Sequence, residues 1–383
     1  MASSGLSQRG IAVTARFREK GTDSFWGNVV YDVVVPKTHF LRQLGDLLDW
    51  DALTAGFANY YKGGAEYGPV PYHPATLLKM LLIAYLYKLS ERQTESYVSD
   101  SLAARYFLGL AANEPAPDHS TLTVFRDRIL AKGGTAAFEG LFQRVVVLAK
   151  EKGIEFGRIQ VVDATHSVAD VDVRKDDERH GGGGKRRDEN ASWGCKGKHR
   201  VKGADGQTIM VNKTFYGYKT HISLNVKSRL ITSVVTTTGK CPDGQQFPEM
   251  VEKDEAVGVP GQVYAGDKGY DDGENHEMLW SKGKQSALAL NKYRTAKKDA
   301  NKEPWIKLKA SPGYRAGKKV RYRVEQKFGE GKRAHNWGRC RYLGDAKYAV
   351  QSLLTAMVLN LKRMVKLLCG IGFRTQLVAR NRA

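Results

Sequence analysis

RIQVVDAT at residues 158–165 predicts a β-strand, because the segment is short, rich in β-branched residues and contains an acid close to its end. Two segments further along the chain extend this pattern. YGYKTHISLNV at 216–226 alternates polar and apolar residues, and RLITSVVTTTG at 229–239 follows it as a hairpin partner. We therefore predict three antiparallel strands, with Asp163 at the end of the first.

Helices and strands alternate after this hairpin. A helix near 246–255 precedes GQVYAGD at 261–267, which predicts a fourth strand that ends at Asp267. A further helix over 271–283 leads to QSALALN at 285–291, a fifth strand. Three strands followed by helix-strand units predict an α/β fold with a mixed sheet covered by helices.

The residues before the sheet are mainly helical in pattern. PATLLKMLLIAYLYKL at 74–89 predicts a buried helix, and Ser90 can cap a second one. Amphipathic helices are also predicted over 118–130 and 136–150. The region 1–150 is therefore predicted to be an N-terminal helical domain, whose helix-turn-helix pattern makes it a candidate for DNA binding or, equally, a packed helical hairpin.

Two further helices are predicted near the end of the chain, over 317–328 and 345–368. With them, the domain prediction continues as a catalytic domain over 151–345 and a C-terminal helix with a basic tail over 346–383.

The charge of the chain points to a polyanionic partner. The 383 residues include 61 Lys and Arg against 40 Asp and Glu, a net charge of +21, and nucleic acid is the first candidate. The four cysteines form no CxxC pair, which favours neither a disulfide framework nor a zinc ribbon and fits a reducing compartment. Without a hydrophobic signal core or a bilayer-spanning apolar run, the sequence predicts a soluble intracellular protein and no membrane partner.

A long basic excursion separates the first two predicted strands. Residues 173–213 carry eleven Lys or Arg against six Asp or Glu and include four consecutive glycines at 181–184. One interpretation is a solvated loop. The other is an arm that becomes ordered on DNA phosphates, with Trp193 available to stack on a base.

Three acids are positioned for chemistry. Asp163 and Asp267 end strands that meet at one edge of the sheet if the strands are neighbours, and Glu325 lies on a helix that can pack beside that edge. Three such carboxylates repel one another unless cations neutralise them. Oxygen ligands with room for water and phosphate favour two Mg²⁺ or Mn²⁺ ions. Taken singly, an Asp at a strand end is more often part of a turn or helix cap, and a helical Glu usually faces solvent.

The third acid lies in a strongly basic stretch. Residues 292–333 hold fifteen Lys or Arg and four Asp or Glu, with Arg321 one helical turn before Glu325 and Lys332 seven residues after it. Gly329 and Gly331 are predicted to end the helix before Lys332. Flanking cations that grip phosphates beside a metal-binding carboxylate would make a phosphodiester site. The competing interpretation is a solvated helix with ordinary ion pairs.

These blocks resemble the DDE transposases of bacterial insertion sequences, in the lineage of insertion sequences four and five. The segment from Tyr72 to Leu110 and PDHSTLTVFRDRI at 117–129 are similar to the helical part of that family. DAT at 163–165 and AGDKGYD at 265–271 resemble the blocks of its first two catalytic aspartates. The third block resembles the family pattern Tyr-(2)-Arg-(3)-Glu-(6)-Lys, except that Lys318 stands where the family has tyrosine.

The resemblance implies an RNase-H-like core in which Asp163, Asp267 and Glu325 are the catalytic residues and bind two Mg²⁺ or Mn²⁺ ions. It also implies endonuclease cleavage at transposon ends, followed by attack of the freed 3′-hydroxyl on target DNA. Phosphate contacts are expected from a set of basic residues: Arg321, Lys332, Lys268, Arg323 and, in the helical domain, Arg92. Expected partners are double-stranded DNA, as terminal inverted repeats and as target, and a second copy of the chain, in the bacterial cytoplasm at the nucleoid.

Two alternatives to an active transposase remain. One is a related metal-dependent nuclease that cuts DNA without joining it. The other is a DNA-binding protein of transposase ancestry that has lost its chemistry, and the presence of all three acids argues against it.

Overall fold

The computed structural model describes residues 17–18, 21, 25–61, 70–202, 207–291 and 303–373. The contacts divide the chain into two compact units, one formed by 1–144 with 361–383 and the other by 145–360. The predicted basic tail after 373 and the first part of the basic stretch, 292–302, lie outside the described residues. None of the described helices is both long and apolar enough to cross a lipid bilayer.

The N-terminal region is helical, as predicted. Its helices, in chain order, are α1 (Phe25–Val34), α2 (Phe40–Leu47), α3 (Trp50–Thr54), α4 (Pro74–Leu86), α5 (Glu91–Asp100), α6 (Leu102–Leu108) and α7 (His119–Glu151). Every residue of α4 is buried. Ser90 caps α5 in a reciprocal capping box with Gln93. The two helices predicted over 118–130 and 136–150 are the two halves of α7, which is kinked at Gly134, where φ is 61°.

The second unit contains a six-stranded mixed sheet. Its strands are β1 (Ile159–Val168), β2 (Ser192–Lys202), β3 (Thr208–Asn225), β4 (Ile231–Thr238), β5 (Val263–Gly266) and β6 (Gln285–Leu288). The strand order is β2-β3-β1-β5-β6, with β4 paired to the second half of β3. β1 is antiparallel to β3 and parallel to β5, which is parallel to β6. This arrangement confirms the predicted α/β fold with a mixed sheet.

Helices cover both faces of this sheet. They are α8 (Val173–Gly181), α9 (Phe247–Ala256), α10 (Gly273–Ser281), α11 (Glu303–Ala310), α12 (Pro312–Val320), α13 (Tyr322–His335) and α14 (Asp345–Cys369). On β3, the Ser223 hydroxyl donates to Asp254 of α9, and the Thr220 hydroxyl shares a hydrogen bond with Ser352 of α14. Residues 220 and 223 point to opposite faces of a strand. Consequently α9 and α14 lie on opposite sides of the sheet.

The excursion at 173–213 is structured where it is described. It forms α8 and then β2, which pairs with the first half of β3 from Thr208 to Gly217. The sequence did not predict this hairpin, because glycine and lysine are poor strand formers in WGCKGKHRVKG. The strand β2 forms because its backbone is hydrogen-bonded to β3, although its residues have a low intrinsic preference for strands.

Helix α13 does not end at its glycines. The prediction that Gly329 and Gly331 stop the helix before Lys332 is wrong, since α13 continues to His335. A side chain at Gly331 would collide with the buried indole of Trp337. Gly331 is therefore a packing position, and the helix ends one turn later at Asn336, which adopts the left-handed conformation with φ of 56°.

Helix α12 lies unusually close to the sheet. A Cβ atom at Gly317 would lie 2.6 Å from the Cβ of Ala287 on β6 and 3.0 Å from the Cβ of Ala265 on β5. Small side chains on both surfaces permit this approach. Because α13 follows α12 after Arg321, this contact also positions the helix that carries Glu325.

Candidate active site

The register of the parallel strands places the two predicted aspartates beside each other. Ile159 pairs with Val263, and Val161 pairs with Ala265. Two residues further along each chain, the same register brings Asp163 opposite Asp267, just where β5 ends. Neighbouring strands are separated by about 4.8 Å. The sheet itself therefore brings these two acids together where β5 ends. The prediction that Asp163 ends its own strand is wrong, because pairing with β3 continues β1 to Val168.

The environment of Asp163 disfavours a negative charge. Burial raises its pKa from 3.8 to about 7, and the charges of Asp267 and Asp243 add to that effect. The hydrogen bond from the backbone N–H of Ala164 and the charge of Arg321 act in the opposite direction. A carboxylate in these surroundings is stabilised in its charged form by a nearby cation.

The free oxygens of these acids fit a metal site. One oxygen of Asp163 accepts from the N–H of Ala164 at 2.8 Å, and one oxygen of Asp267 accepts from the N–H of Gly269 at 2.8 Å. Among the described residues, the second oxygen of each carboxylate has no hydrogen-bond donor. Hard carboxylate oxygens of this kind suit Mg²⁺ or Mn²⁺. The donor set therefore fits a divalent ion.

Helix α13 presents the third predicted acid on a face shared with two cations. Arg321, Glu325 and Lys332 are spaced by four and seven residues, which places them on one side of the helix. The charges of Arg321 and Lys332 both act on Asp163, so this side of the helix faces β1. Glu325 is exposed, and the oxygens of the three acids do not all lie within 4.8 Å of one another.

A fourth acid at this edge was missed by the sequence analysis. Asp243, in a short 3-10 helix between β4 and α9, accepts a hydrogen bond from the Lys219 ammonium at 2.9 Å. A Cβ atom at Gly269 would lie 2.9 Å from an oxygen of Asp267 and 3.7 Å from an oxygen of Asp243, which puts the two carboxylates close together. Asp243 follows a proline in a loop, and no strand pattern in the sequence marks it.

Tyr270 lies beneath the acids. Its side chain is fully buried, and its hydroxyl is among the buried polar atoms that have no hydrogen-bond partner. Burial, followed by the charges of Asp163, Asp243 and Asp267, raises its pKa well above 10. The phenol therefore remains protonated, with its hydroxyl in the electrostatic field of three carboxylates.

The predicted phosphate-binding residues are spread over several elements. Lys332 is partly buried, and Lys268 is exposed directly after Asp267. One nitrogen of the Arg323 guanidinium donates to the carbonyl of Val226 at 2.8 Å, so that side chain also has a structural role. Arg92 is exposed on α5, in the other unit.

A cluster of possible metal ligands elsewhere has a structural explanation. Within the described residues, Glu95, Asp118 and His119 form a group whose ligand atoms lie within 4.8 Å of one another. Glu95 accepts from the backbone N–H of His119 at 3.0 Å, and Asp118 accepts from the N–H of Ser120 at 2.7 Å. These bonds satisfy free N–H groups at the start of α7. The bond from His119 lowers the pKa of Glu95, and hydrogen bonds from the side chain and then the backbone of Ser120 lower the pKa of Asp118. The cluster is accounted for as a helix cap.

Comparison with protein families gives two matches. A family model described as a transposase DDE domain matches residues 155–361, which is more than half of the chain. A second, described as a transposase domain (DUF772), matches residues 29–128.

Similarity to solved structures is weak. A cryo-EM structure of the piggyBac transposase synaptic complex with hairpin DNA matches with 10% identity and a TM-score of 0.42, over 90% of this chain and 77% of that one. The Mos1 transposase paired-end complex with the left transposon end matches with 8% identity and a TM-score of 0.19, over 85% and 86%. At these scores the similarity carries no argument.

Proposed function

The chain belongs to the DDE transposases, and from that premise we propose that Asp163, Asp267 and Glu325 are the three acids of its DNA chemistry. The protein is a DNA transposase, and we assign the roles of its residues in that activity. The observation that supports it is the β1–β5 register, which, continued by two residues, puts Asp163 opposite Asp267. One oxygen of each carboxylate accepts no hydrogen bond from the described residues. The face of α13 that carries Glu325 supports the same assignment.

Each residue has a distinct role in this proposal. Asp163, Asp267 and Glu325 would hold two Mg²⁺ or Mn²⁺ ions, which would supply Lewis-acid activation of an attacking oxygen and charge stabilisation of a leaving oxygen at a phosphodiester. Arg321 and Lys332 flank Glu325 and hold phosphate oxygens of the DNA strand through charge-assisted hydrogen bonds. These residues orient the scissile phosphate without a covalent protein intermediate.

The test is a strand-transfer assay with the full-length protein, Mg²⁺ and DNA that carries the ends of the encoding element. We expect cleavage at the element ends and joined products in target DNA. Cleaved ends that never join would favour the alternative of a metal-dependent nuclease. The absence of both products, with DNA binding retained, would favour a binding protein of transposase ancestry.

The remaining features of the proposal concern assembly. A dimer would hold two element ends together, and the helical region 1–150, with Arg92 exposed on α5, would bind terminal DNA. Region 151–345 would be the catalytic domain, and the protein would act in the bacterial cytoplasm on nucleoid DNA. Lys268 and Arg323 would add phosphate contacts near the acids.

Replacing Glu325 with glutamine should separate catalysis from folding. The side chain is exposed, so the melting temperature should change by no more than about 2 °C. Cleavage should fall by about a hundredfold or more, because one charged metal ligand is lost. Cleavage rates and thermal unfolding measure the two effects. Glu277→Gln, at an exposed acid on α10, is the matched control and should leave both unchanged; equal losses in the two variants would contradict the role of Glu325.

Replacing Asp243 with asparagine should weaken metal use without abolishing it. The change removes the carboxylate partner of Lys219 and one negative charge near Asp163. The Mg²⁺ concentration at half-maximal cleavage should therefore rise by roughly tenfold. A magnesium titration of the cleavage rate measures this, with Glu274→Gln on α10 as the control. An unchanged magnesium requirement would mean that Asp243 acts only through local structure.

A further inference from the structure

The hairpin formed by β2 and the first half of β3 carries basic residues and no acidic ones within its described strands. These strands, 192–202 and 208–215, contain five Lys or Arg: Lys196, Lys198, Arg200, Lys202 and Lys213. All five side chains are exposed. Elsewhere in the same excursion, basic residues are balanced by neighbours, as in the ion pair of Lys185 with Glu189. The described strands of the hairpin, which we call the basic arm, therefore carry basic residues without acidic ones among them.

The root of this arm lies near the candidate active site. The rings of His166 on β1 and Phe215 on β3 have centroids 4.8 Å apart, and the Lys196 ammonium lies 5.4 Å from the Phe215 ring centroid. Burial and then the charges of Lys332, Lys196, Lys213 and Lys219 lower the pKa of His166 to about 3. The arm therefore brings Lys196 and Lys213 to the same neighbourhood as Lys332, whose charge acts on Asp163.

These lysines repel one another. The charge of Lys213 lowers the pKa of Lys196, after burial, and the charge of Lys196 likewise lowers the pKa of Lys332. In the described part of the chain, no carboxylate oxygen lies within 4 Å of these three ammonium groups, whereas Lys219 is paired with Asp243. Like charges held together in this way lose their repulsion when a polyanion binds between them.

We propose that Lys196 and Lys213, at the root of the β2–β3 arm, bind the phosphate backbone of duplex DNA together with Lys332, close to Asp163 and Asp267. This inference rests on the proposed function, because it assigns the arm to the DNA that the same site processes. The contacts are to phosphates and carry no sequence information. The remaining cations of the arm, Lys198, Arg200 and Lys202, extend the same basic surface away from the root.

The experiment measures DNA binding without catalysis. The full-length protein and the double variant Lys196→Gln/Lys213→Gln are titrated with a fluorescent 30-base-pair duplex of arbitrary sequence, in EDTA, over a range of salt concentrations. The slope of log K against log salt is negative, and each lost phosphate contact reduces its magnitude by about 0.9. We expect the magnitude of the slope to decrease by about 2 in the double variant and by about 1 in each single variant. Lys196→Arg/Lys213→Arg should restore the slope.

The matched control is Lys175→Gln/Lys185→Gln. Both of these lysines are exposed in the same excursion and lie near acidic partners, so their removal should leave the slope within error of the wild type. An unchanged slope in the Lys196→Gln/Lys213→Gln variant would overturn the proposal. An unchanged slope together with a loss of dimer in sedimentation would assign the arm to a contact between copies of the chain and would also overturn it.

The test of DNA binding by the arm can fail or succeed independently of the test of metal-dependent cleavage. Binding in EDTA needs no metal and no cleavage, so the slope tests the arm even if Asp163→Asn cuts DNA normally. Conversely, a metal-dependent transposase whose salt slope is unaffected by the two lysines would retain its activity assignment and lose this one. Because both lysines are exposed on a hairpin, the variants should fold, and the single variants provide the same measurement in any case.

Discussion

Asp163→Asn is expected to lower Mg²⁺-dependent cleavage of element-end DNA by about a thousandfold or more. The substitution keeps the shape of the side chain but removes a charged ligand at the centre of the acidic edge. It should also abolish the rise in melting temperature that Mg²⁺ or Mn²⁺ produces in the wild type, because a ligand stabilises only the state that binds it. Cleavage assays and thermal unfolding with and without metal measure the two effects.

Asp272→Asn provides the control for this substitution. Asp272 is exposed after the 3-10 helix that follows Asp267, and asparagine keeps its capping of α10. Its cleavage and its metal-dependent thermal shift should match those of the wild type. Cleavage by Asp163→Asn at the wild-type rate would remove Asp163 from the active site and with it the proposed metal site.

The same residue gives a pH dependence in the metal-free protein. Its folded pKa of about 7 is above its ordinary value of 3.8. Folding stability from this group is therefore fully present below pH 3.8 and is lost as the pH rises through 7. The loss has an upper limit of about 4 kcal/mol, at about 1.4 kcal/mol for each pKa unit. The wild type should thus lose stability relative to Asp163→Asn between pH 4 and 7, as measured by urea unfolding.

Gly317→Leu should both destabilise the second unit and reduce cleavage. Even a Cβ atom at this position would lie 2.6 Å from Ala287, so a leucine must push α12 away from β5 and β6. Overpacking of this kind costs about 1 to 3 kcal/mol and occasionally more. Because α12 leads directly into α13, Glu325 should move relative to Asp163, and misplacement by about 1 Å can cost roughly a hundredfold in rate. Chemical denaturation and cleavage assays measure the two losses.

A pair of alanine substitutions tests the cause. Gly317→Ala should destabilise the protein, since its Cβ meets two alanines on the sheet. Gly329→Ala, on α13, places its Cβ no closer than 3.7 Å to the flexible side chain of Arg333 and should stabilise the helix by up to about 1 kcal/mol. Equal effects of the two substitutions would show that helix preference, rather than the close approach, decides the stability at Gly317.

The elements that the sequence predicted correctly are those whose residue pattern lies within the element itself. The first strand was recognised from β-branched residues that precede an acid, and the β5 strand from a short apolar run that ends just before Asp267. The two acids were predicted to lie together from these local patterns alone, although β1 continues past Asp163 to Val168 and the pairing of β1 with β5 joins segments about a hundred residues apart. Glu325 was identified from the spacing of the cations around it, and its placement opposite β1 depends on the α12 contact with the sheet.

Features that depend on distant contacts were not predictable in the same way. The strand β2 forms because β3 pairs with it, although its glycines and lysines disfavour a strand. Helix α13 runs through Gly331 because Trp337 packs against that glycine. Asp243 lies in the short segment between β4 and α9, which the fold places near Asp267. No periodic pattern in the sequence predicts such a position.

Strand length has a consequence for how a substrate could be received. β5 and β6 have four residues each, whereas β1 has ten and β3 has eighteen. β1 pairs with β5 only as far as Val161, and its next parallel contact is the bridge between Val168 and Arg339. Asp163 lies near the start of the part of β1 between these two contacts, where no described strand pairs with that edge. A DNA duplex needs open space of this kind beside the strand so that its sugar-phosphate backbone can reach a carboxylate. Insertions that lengthen β5 would occupy this space, and they should prevent DNA from reaching the acids although every acid is retained.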